Sequence, residues 1–153
     1  MSMAPPFPLP IGPNMDVKQA IKERKSEREF SNVPLTPQEL GDLYCYGMLI
    51  PSAGALYPLT LKVQCSGEGE DPWSVIFIIC AEFEKTTVKY GKRGERYVYM
   101  EAGHMAQNIQ LLATSMGKAS YCIGAFDDKK LKRILKLTKE DPVYMIAVGN
   151  KRK

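Results

Sequence analysis

The fold of this chain is decided by residues 98–116, VYMEAGHMAQNIQLLATSM, in which apolar side chains recur at the spacing of one helix face. These side chains are those of Val98, Ala102, Met105, Ala106, Ile109, Leu112, Ala113 and Met116. The pattern predicts a helix from about Glu95 to Met116 that buries this face. Gly117 follows it as the natural C-terminal stop.

Strand patterns lie on both sides of this helix. Leu59 to Cys65 alternates apolar and polar residues, which is typical of a half-buried strand, whereas Val75 to Ala81 is continuously apolar and predicts a central one. The composition of Ser66 to Pro72 between them predicts an acidic turn. Further along, Ser120 to Phe126 predicts a short strand or extended segment, and Val143 to Val148 predicts a final strand after a proline.

Three shorter helices are predicted from their N-terminal caps. They are a helix from Asn14 or Asp16 to about Lys25, one that starts at the Thr36-Pro37-Gln38-Glu39 capping box and ends at Gly47, and one from Asp127 to about Leu137. Strands and helices do not alternate regularly along the chain, so a doubly wound parallel sheet is disfavoured. The order predicts an α+β fold in which helices flank one central, mostly antiparallel sheet.

Length and composition indicate one domain. The chain has 153 residues, of which 44% are hydrophobic, enough for a single compact core. We expect residues 1–15 to form an extended, proline-rich arm and residues 16–153 to form the domain. The formal net charge of +4 is too small to indicate a nucleic-acid partner, although it suits a phosphate-bearing small ligand.

Cysteine usage and hydropathy bear on the compartment. Four cysteines are widely spaced without a Cys-x-x-Cys pair, so we expect reduced, mostly buried thiols. The first residues lack the order of a signal peptide, and no apolar run approaches the roughly 18 residues that a membrane helix needs. These features predict a cytoplasmic protein with no membrane partner.

A basic segment follows the first predicted helix. Arg24-Lys25-Ser26-Glu27-Arg28 concentrates three cations and a hydroxyl group. Arginine offers a planar fork to phosphate oxygens, and the serine adds a neutral donor, so the segment could clamp a phosphate. Basic residues at a helix C-terminus can also simply complement the helix dipole. The residues alone leave both interpretations open.

A second segment, Pro51-Ser52-Ala53-Gly54-Ala55-Leu56-Tyr57-Pro58, leads directly into a predicted strand. Its prolines fix φ and lack amide donors, and its small residues leave little bulk between the main chain and a flat ligand. An ordinary turn before a strand would have the same composition. Either a ligand-facing loop or a turn is therefore compatible with the residues.

Two further pairs carry chemical side chains. Glu101 and His104 have the Glu-x-x-His spacing of a metal ligand pair, but the chain has a single histidine, so His104 is better interpreted as a packing or hydrogen-bonding residue. We predict no metal site. Lys89 and Tyr90, in what we interpret as a polar turn, are by themselves compatible with a solvated surface pair.

Taken together, the motifs resemble those of the nitroreductase-like flavoprotein superfamily. The closest resemblance is to the branch that oxidises thiazolines and oxazolines in modified peptides, in a shortened form. The motifs are RKSEREF at 24–30, PSAGALYP at 51–58, KYG at 89–91, EAGHMAQN at 101–108 and IGAFDD at 123–128. They occur in the order of the family, from about Asp16 to Gly149.

The resemblance implies a nitroreductase-like fold, an intertwined homodimer and one FMN in each of two clefts that both subunits build. It places Arg24, Ser26 and Arg28 at the FMN phosphate and ribityl chain, with Lys25 nearby. The loop residues Pro51, Ser52, Ala53 and Gly54 would lie along the isoalloxazine ring of the partner subunit's site. Ile123 and Gly124 would pass the flavin N5 edge, and Lys151 and Arg152 would reach the phosphate.

The resemblance also implies an activity. Lys89 and Tyr90 match the Lys-Tyr pair that azoline-oxidising relatives use for proton transfer, so they are the candidate catalytic residues. We expect an FMN-dependent oxidoreductase that transfers two electrons, as hydride, between NADH, NADPH or another reduced organic donor and a small-molecule acceptor. The alternative is a non-catalytic flavin-binding or scaffold subunit that retains the dimeric fold.

Two departures from the family pattern limit the assignment of a substrate. The chain has little sequence between the strand after Pro58 and Lys89, where longer members add elements that cover the flavin. Ala55 stands where many nitroreductases have a polar side chain, and alanine offers no side-chain hydrogen bond. We therefore expect a more open cleft, or one that the dimer mate covers.

Overall fold

The structure is a computed structural model that describes residues 15–65 and 75–153. These residues fold into a four-stranded sheet and five α-helices. The helices are α1 (Val17–Glu23), α2 (Pro37–Gly47), α3 (Glu84–Tyr90), α4 (Arg93–Ser115) and α5 (Asp128–Ile134). The strands are β1 (Leu59–Cys65), β2 (Val75–Ala81), β3 (Lys118–Ile123) and β4 (Asp141–Asn150). The predicted α+β class, with helices flanking a central antiparallel sheet, is confirmed. The expected arm up to Asn14 and the acidic turn at Ser66 to Pro72 lie outside the described residues.

The sheet has the strand order β1-β2-β4-β3, and its three pairings are antiparallel. β4 begins at Asp141 and includes Pro142, two residues before the predicted start at Val143. Pro142 lacks an amide donor, and the β2–β4 register shifts between Ile79 and Cys80, where Pro142 pairs. This irregularity lets the strand continue through a proline.

Helix α4 covers one face of the sheet and forms the main core. Its predicted apolar face is buried, and Val98, Ile109 and Ala113 are fully inaccessible to solvent. They pack against Phe77 and Ile79 of the central strand. The helix begins at Arg93, two residues before the predicted start, and Gly117 follows its end with φ +68° as expected of a left-handed stop.

Helix α2 packs on α4 and shows why a glycine ends it. The predicted capping box is present, with Thr36 and Glu39 each accepting a hydrogen bond from the main chain of the other. Gly47 is buried, and a Cβ there would lie 2.6 Å from Cγ1 of Ile109. Its missing side chain thus lets the two helices approach closely.

The other helices differ from prediction at their ends. Asp16 caps α1 as predicted, but this helix ends at Glu23, two residues early, because Arg24 has extended backbone angles. Helix α3 was not predicted, since Lys89 and Tyr90 were interpreted as part of a turn and in fact lie at the end of this helix. β3 begins at Lys118 and ends at Ile123, earlier at both ends than predicted. Asp127 caps α5 as predicted.

The opposite face of the sheet carries a smaller apolar cluster. Phe30 packs there with Ala119 and Ala147, and Tyr121 and Ile123 lie at its edge. A Cβ at Gly149 would lie only 2.6 Å from the ring of Phe30. The ring therefore fits because position 149 has no side chain.

Two expectations about composition can be compared with the structure. The four cysteines are free, but the expectation that they are mostly buried is wrong, since only Cys80 is buried and Cys65 is exposed. Cys65 ends edge strand β1, where the outer residues face solvent. Among the described helices, none combines the length and apolarity that crossing a bilayer requires.

Candidate flavin site

The basic segment, residues 24–28, lies beside β3, an edge strand of the sheet. The Glu27 amide donates to the carbonyl of Ser120 at 2.9 Å, and the Ser31 amide donates to the carbonyl of Asn150 at 2.8 Å. Between them, Phe30 forms a bridge with Lys151, just beyond β4. Main-chain hydrogen bonds on both sides therefore fix the segment and bring it beside the residues that follow β4.

The cations of this segment have different surroundings. The Arg28 guanidinium lies over the ring of Tyr121, 5.2 Å from its centroid, and Tyr121 stacks on Phe30 at 6.1 Å. Lys151 forms a 3.1 Å ion pair with Glu27. Within the part of the chain that the structure describes, Arg24 and Arg28 form no ion pair. Two guanidinium groups thus remain available to an anion.

The other predicted residues of this cluster are mostly exposed. Lys25, Ser26 and Arg152 are exposed to solvent. Gly124, which directly follows β3, is also exposed, and a Cβ built on it would lie 3.9 Å from the ring of Tyr144. Ile123 is half-buried as the last residue of β3. Ile123 and Gly124 lie at the C-terminal end of β3, whereas Lys151 and Arg152 follow β4 at the opposite end of the β3–β4 pair, where Lys118 begins β3. The basic segment lies along β3 between these two ends.

A thiol and a phenol lie near the end of β3 that leads to Gly124. Cys122 and Tyr144 are joined by a side-chain hydrogen bond. Burial raises the pKa of the Cys122 thiol, while the Tyr144 hydrogen bond and the nearby charge of Arg24 oppose the rise. Burial, followed by the contact with Cys122, raises the pKa of Tyr144. Both groups are therefore neutral at pH 7 and contribute no charge near Arg24.

The loop formed by residues 51–57, within the second predicted segment (51–58), has an unusual backbone. Ala53–Ala55 forms a single 3-10 turn, and Gly54 within it has φ +62°. Ala55 and Tyr57 also have positive φ values, 54° and 46°. Such angles are costly for residues with a Cβ, so the surrounding contacts have to hold this conformation.

Glu101 provides the contact that holds the loop. Its side chain is only 4% exposed and accepts hydrogen bonds from the Ser52 hydroxyl, at 3.1 and 3.0 Å to its two oxygens, and from the Ala53 amide at 2.9 Å. Ser52 Oγ in turn accepts from the Tyr57 amide at 2.9 Å. A buried carboxylate on α4 therefore ties both ends of the turn together.

The sequence suggested Glu101 as one of a possible metal-ligand pair and as part of the 101–108 motif, but did not predict that it holds the loop. The available signal was a carboxylate on the apolar face of the longest helix, three residues after Val98 and four before Met105. His104 is exposed, so the packing role expected for it within the chain is wrong. Among the described residues, no cluster of three His, Cys, Asp or Glu side chains is arranged to hold a metal ion.

Lys89 and Tyr90, the candidate catalytic pair, lie against the loop. A Cβ built on Gly54 would lie 2.7 Å from the Tyr90 hydroxyl and 2.9 Å from Lys89 Nζ. The Lys89 ammonium is 5.4 Å from the Tyr90 ring centroid, and Tyr90 packs edge-on against Tyr97 at 5.1 Å. Both polar ends therefore stand directly over the one loop position that has no side chain.

The predicted residues thus form two clusters. The first, named the sheet-end cluster, lies along β3 and contains residues 24–28, with residues 123–124 at one end of that strand and residues 151–152 beyond the other. The loop cluster contains residues 51–57, Lys89, Tyr90 and Glu101. No hydrogen bond or ion pair among the described residues joins the two.

Comparison with known proteins gives consistent matches. Residues 69–150 match the model of the Nitroreductase family. A protein of Methanocaldococcus jannaschii named "Putative nitroreductase" is 33% identical to this chain, and the match covers 94% of this chain and 95% of that protein. The latter match includes most of the sequence before residue 69, where the basic segment and the loop lie.

Two solved structures show the same fold. The crystal structure of a "putative nitroreductase" from Ralstonia eutropha superposes with a TM-score of 0.84 at 19% identity, covering 97% of this chain and 88% of that one. The NADPH:FMN oxidoreductase of Vibrio harveyi, solved with NAD+, superposes with a TM-score of 0.77 at 18% identity, covering 90% of this chain and 69% of that one.

Proposed function

The chain belongs to the nitroreductase family, and from this premise we propose that it is an FMN-dependent oxidoreductase that works as a homodimer. The observation that carries the proposal is the position of Lys89 Nζ and the Tyr90 hydroxyl over Gly54. A lysine and a tyrosine, the residue types that exchange protons, meet there at a backbone position with no side-chain bulk. This combination suits a loop that faces a planar reacting group.

The residues fit FMN in two respects. Arg24 and Arg28 have no ion-pair partner among the described residues and lie on a segment whose backbone is already fixed, as phosphate recognition requires. At the loop, the absence of a side chain at Gly54 lets the polar ends of Lys89 and Tyr90 approach the backbone closely. We assign the FMN phosphate to Arg24, Ser26, Arg28 and the C-terminal Lys151 and Arg152, with Lys25 nearby.

A dimer accounts for the two separate clusters. We propose that the sheet-end cluster of one subunit and the loop cluster of its partner complete each site. A groove of about 380 Å³ between α1, the end of α2 and α4 supports association, because it is lined by Val17, Tyr46 and Leu49. Leu49 is 69% exposed and Val17 61% exposed. Neighbouring exposed apolar side chains of this kind mark interaction surfaces.

Bound FMN would supply the redox step, taking up a hydride and passing two electrons onward. The chain's own residues would orient the reactants and handle the proton. Lys89 or Tyr90 would remove a proton from the substrate or return one to it, and the loop amides would lie along the ring. The backbone after β3, at Ile123 and Gly124, would offer an amide donor at the ring edge.

For the substrate, we propose a small acceptor reduced at the expense of NADH, NADPH or another organic donor. The Lys-Tyr pair supports a relation to the azoline-oxidising branch, but the short stretch between Pro58 and Lys89 and the alanine at position 55 favour a less enclosed substrate site than those enzymes have. Ala55 is exposed within the loop and presents only a methyl group.

Cofactor binding is tested by the absorbance of the purified protein and by titration with FMN. Wild type should be yellow or take up FMN, and Arg24→Gln with Arg28→Gln should weaken binding by roughly 10-fold or more, since a hydrogen bond to a charged group contributes about 1.5–3 kcal/mol. Lys129→Gln with Lys130→Gln, two exposed lysines of α5, is the matched control. A protein that cannot be loaded with FMN would refute the proposal.

Turnover is tested separately by reduction of the bound flavin with NADH and NADPH, followed by a screen of small acceptors. Tyr90→Phe and Lys89→Met should keep the flavin bound and slow the proton-coupled step. If the flavin stays oxidised with both nicotinamides and with other organic donors, the protein is a flavin-binding subunit and not an oxidoreductase. Unchanged rates in both variants would show that Lys89 and Tyr90 are surface residues.

The dimer is tested by sedimentation of Leu49→Lys, which should shift the protein toward monomer and lower its FMN content together. Val88→Lys replaces an apolar residue of α3 that is even more exposed, at 79%, and lies outside this groove, so it should do neither. A monomeric wild type that retains FMN would contradict the shared site.

A further inference from the structure

A groove on the first turns of α4 is not used by the proposed flavin site. It has a volume of about 780 Å³ and is lined by Lys92, Arg93, Glu95, Arg96, Tyr99 and Met100. Its lining combines three cations with one carboxylate. An aromatic ring and a thioether lie one turn further along the helix.

The cations of the groove are free to bind an anion. Lys92, Arg93 and Arg96 are exposed, and among the described residues none of them forms an ion pair. Within the groove, three positive charges face the single negative charge of Glu95. Guanidinium groups one helical turn apart, at 93 and 96, can each present a planar fork to phosphate oxygens.

The aromatic ring of the groove is held from one side although it faces solvent. Tyr99 is 57% exposed and Met100 is 53% exposed. Phe83 packs edge-on against Tyr99 with 5.4 Å between the ring centroids, so the tyrosine ring is supported from one side and open on the other. An open, supported aromatic face suits a planar heterocycle.

The groove is adjacent to the loop cluster. It begins two residues after Tyr90, beyond the turn at Gly91, and Tyr90 packs against Tyr97 on the same stretch of α4. Gly94 is buried so tightly against α3 that a Cβ there would lie 3.0 Å from backbone atoms of Thr86 and Thr87. The groove and the Lys89–Tyr90 pair are therefore held in a fixed relation.

We propose that this groove binds the adenine-nucleotide end of the nicotinamide donor and favours NADPH over NADH. The inference rests on the proposed function. Arg93 and Arg96 would bind the 2′-phosphate, with Lys92 as a further cation, and Tyr99 would support the adenine ring. A carboxylate suits a ribose 2′-hydroxyl and repels a 2′-phosphate, so Glu95 opposes this preference while the three cations outweigh it.

The test is calorimetric titration of the FMN-loaded protein with 2′,5′-ADP and with 5′-AMP at low and moderate salt. Wild type should bind 2′,5′-ADP more tightly, and Arg93→Gln with Arg96→Gln should weaken its binding by roughly 10-fold or more while affecting 5′-AMP less. Lys129→Gln with Lys130→Gln removes the same charge from α5 and should have little effect. Glu95→Gln should tighten 2′,5′-ADP binding, a gain that a folding defect cannot imitate.

The outcomes separate this inference from the proposed function. If the protein binds FMN and is reduced by a nicotinamide, but both α4 substitutions leave 2′,5′-ADP affinity unchanged, the groove proposal is wrong and the proposed function stands. If FMN does not bind, the same titration on the flavin-free protein still decides the groove. If the α5 control loses as much 2′,5′-ADP affinity as the α4 variant, the effect comes from net charge alone and the proposed site is wrong.

Discussion

The sheet-end cluster and the loop cluster are held in place by different physical means. The basic segment pairs through its main chain with β3 and the end of β4, and Phe30 anchors it in the space above Gly149. The loop is held by one buried carboxylate, that of Glu101, through Ser52 and Ala53. One cluster therefore depends on backbone pairing and packing, and the other on a few charge-assisted hydrogen bonds.

This difference determines how each cluster should respond to substitution. In the basic segment the anchoring groups, Phe30 and the Glu27 and Ser31 amides, are not the groups proposed to bind phosphate. Ligand affinity can therefore change there without a change in shape. In the loop, Ser52 and Ala53 both hold the structure and face the proposed ring, so shape and binding should change together.

The largest expected effect is on the loop, in Glu101→Leu. The substitution leaves the Ser52 hydroxyl and the Ala53 amide without their acceptor and should lower the free energy of unfolding by about 2–4 kcal/mol. Urea unfolding measures the loss. Hydrogen exchange should accelerate at the Ala53 and Tyr57 amides and stay slow at Glu27 and Ser31.

Gln107→Leu is the matched control, because Gln107 is exposed on the same helix and its loss should change stability by no more than about 0.5 kcal/mol. Glu101→Gln should lose less stability than Glu101→Leu, since the side-chain amide oxygen can still accept a hydrogen bond from the Ala53 amide. If exchange accelerates equally in both clusters, they are not independently anchored.

The second effect is the reverse experiment in the sheet-end cluster, Gly149→Ala. The added methyl group would overlap the Phe30 ring, and displacing the ring should cost about 1–3 kcal/mol of stability. Exchange should now accelerate at Glu27 and Ser31 and not at Ala53, and FMN affinity should fall because the basic segment moves.

Gly103→Ala is the control for a glycine-to-alanine change that causes no steric overlap, because no atom lies within 4 Å of a Cβ at position 103. In the interior of α4 this change should raise the melting temperature, since alanine is favoured over glycine by about 0.5–1 kcal/mol in a helix. A Gly149→Ala protein as stable as wild type would show that Phe30 does not anchor the segment.

The sequence predicted the elements whose pattern reflects burial. The bounds of β1 and β2 were predicted as observed. Alternating apolar and polar residues indicate a half-buried strand such as β1, and a continuous apolar run indicates a central strand such as β2. Helix α3 was missed because its buried residue is Thr86, so its seven residues carry no apolar periodicity. Pattern reasoning cannot detect a helix whose inner face is polar.

The candidate site was predictable in its parts and not in its assembly. The motifs suggested which residues matter, but Glu101 acts on Ser52 across 49 positions of sequence, and Glu27 pairs with Ser120. Such pairings follow from how α4 and β3 pack in the whole fold, which no local pattern encodes. The contact of Lys89 and Tyr90 with Gly54 is of the same kind.

The smallest expected effect concerns a hydrogen-bonded network around Lys118, next to the basic segment, and the dependence of its stability on pH. Lys118 forms a 2.6 Å ion pair with Glu39 and donates to Asn150, whose amide holds the carbonyls of Val33 and Pro34 at 2.9 and 3.1 Å. Burial raises the pKa of Glu39, but the hydrogen bonds from Lys118 and Thr36 and the Lys118 charge outweigh it, so the pKa is lowered.

Because the folded state lowers this pKa, folding favours the ionised carboxylate. The contribution of Glu39 to the free energy of unfolding is complete above its ordinary pKa of 4.5. It is lost as the pH falls through the lower pKa of the folded state. Glu39→Gln should therefore cost about 0.5–1 kcal/mol at pH 7 and progressively less below pH 4.5, as measured by urea unfolding between pH 7 and 3. Since the network reaches Val33 and not the loop, the low-pH loss should accelerate exchange at Ser31 before Ala53. A cost that does not change with pH would show that the ionisation of Glu39 does not contribute to stability.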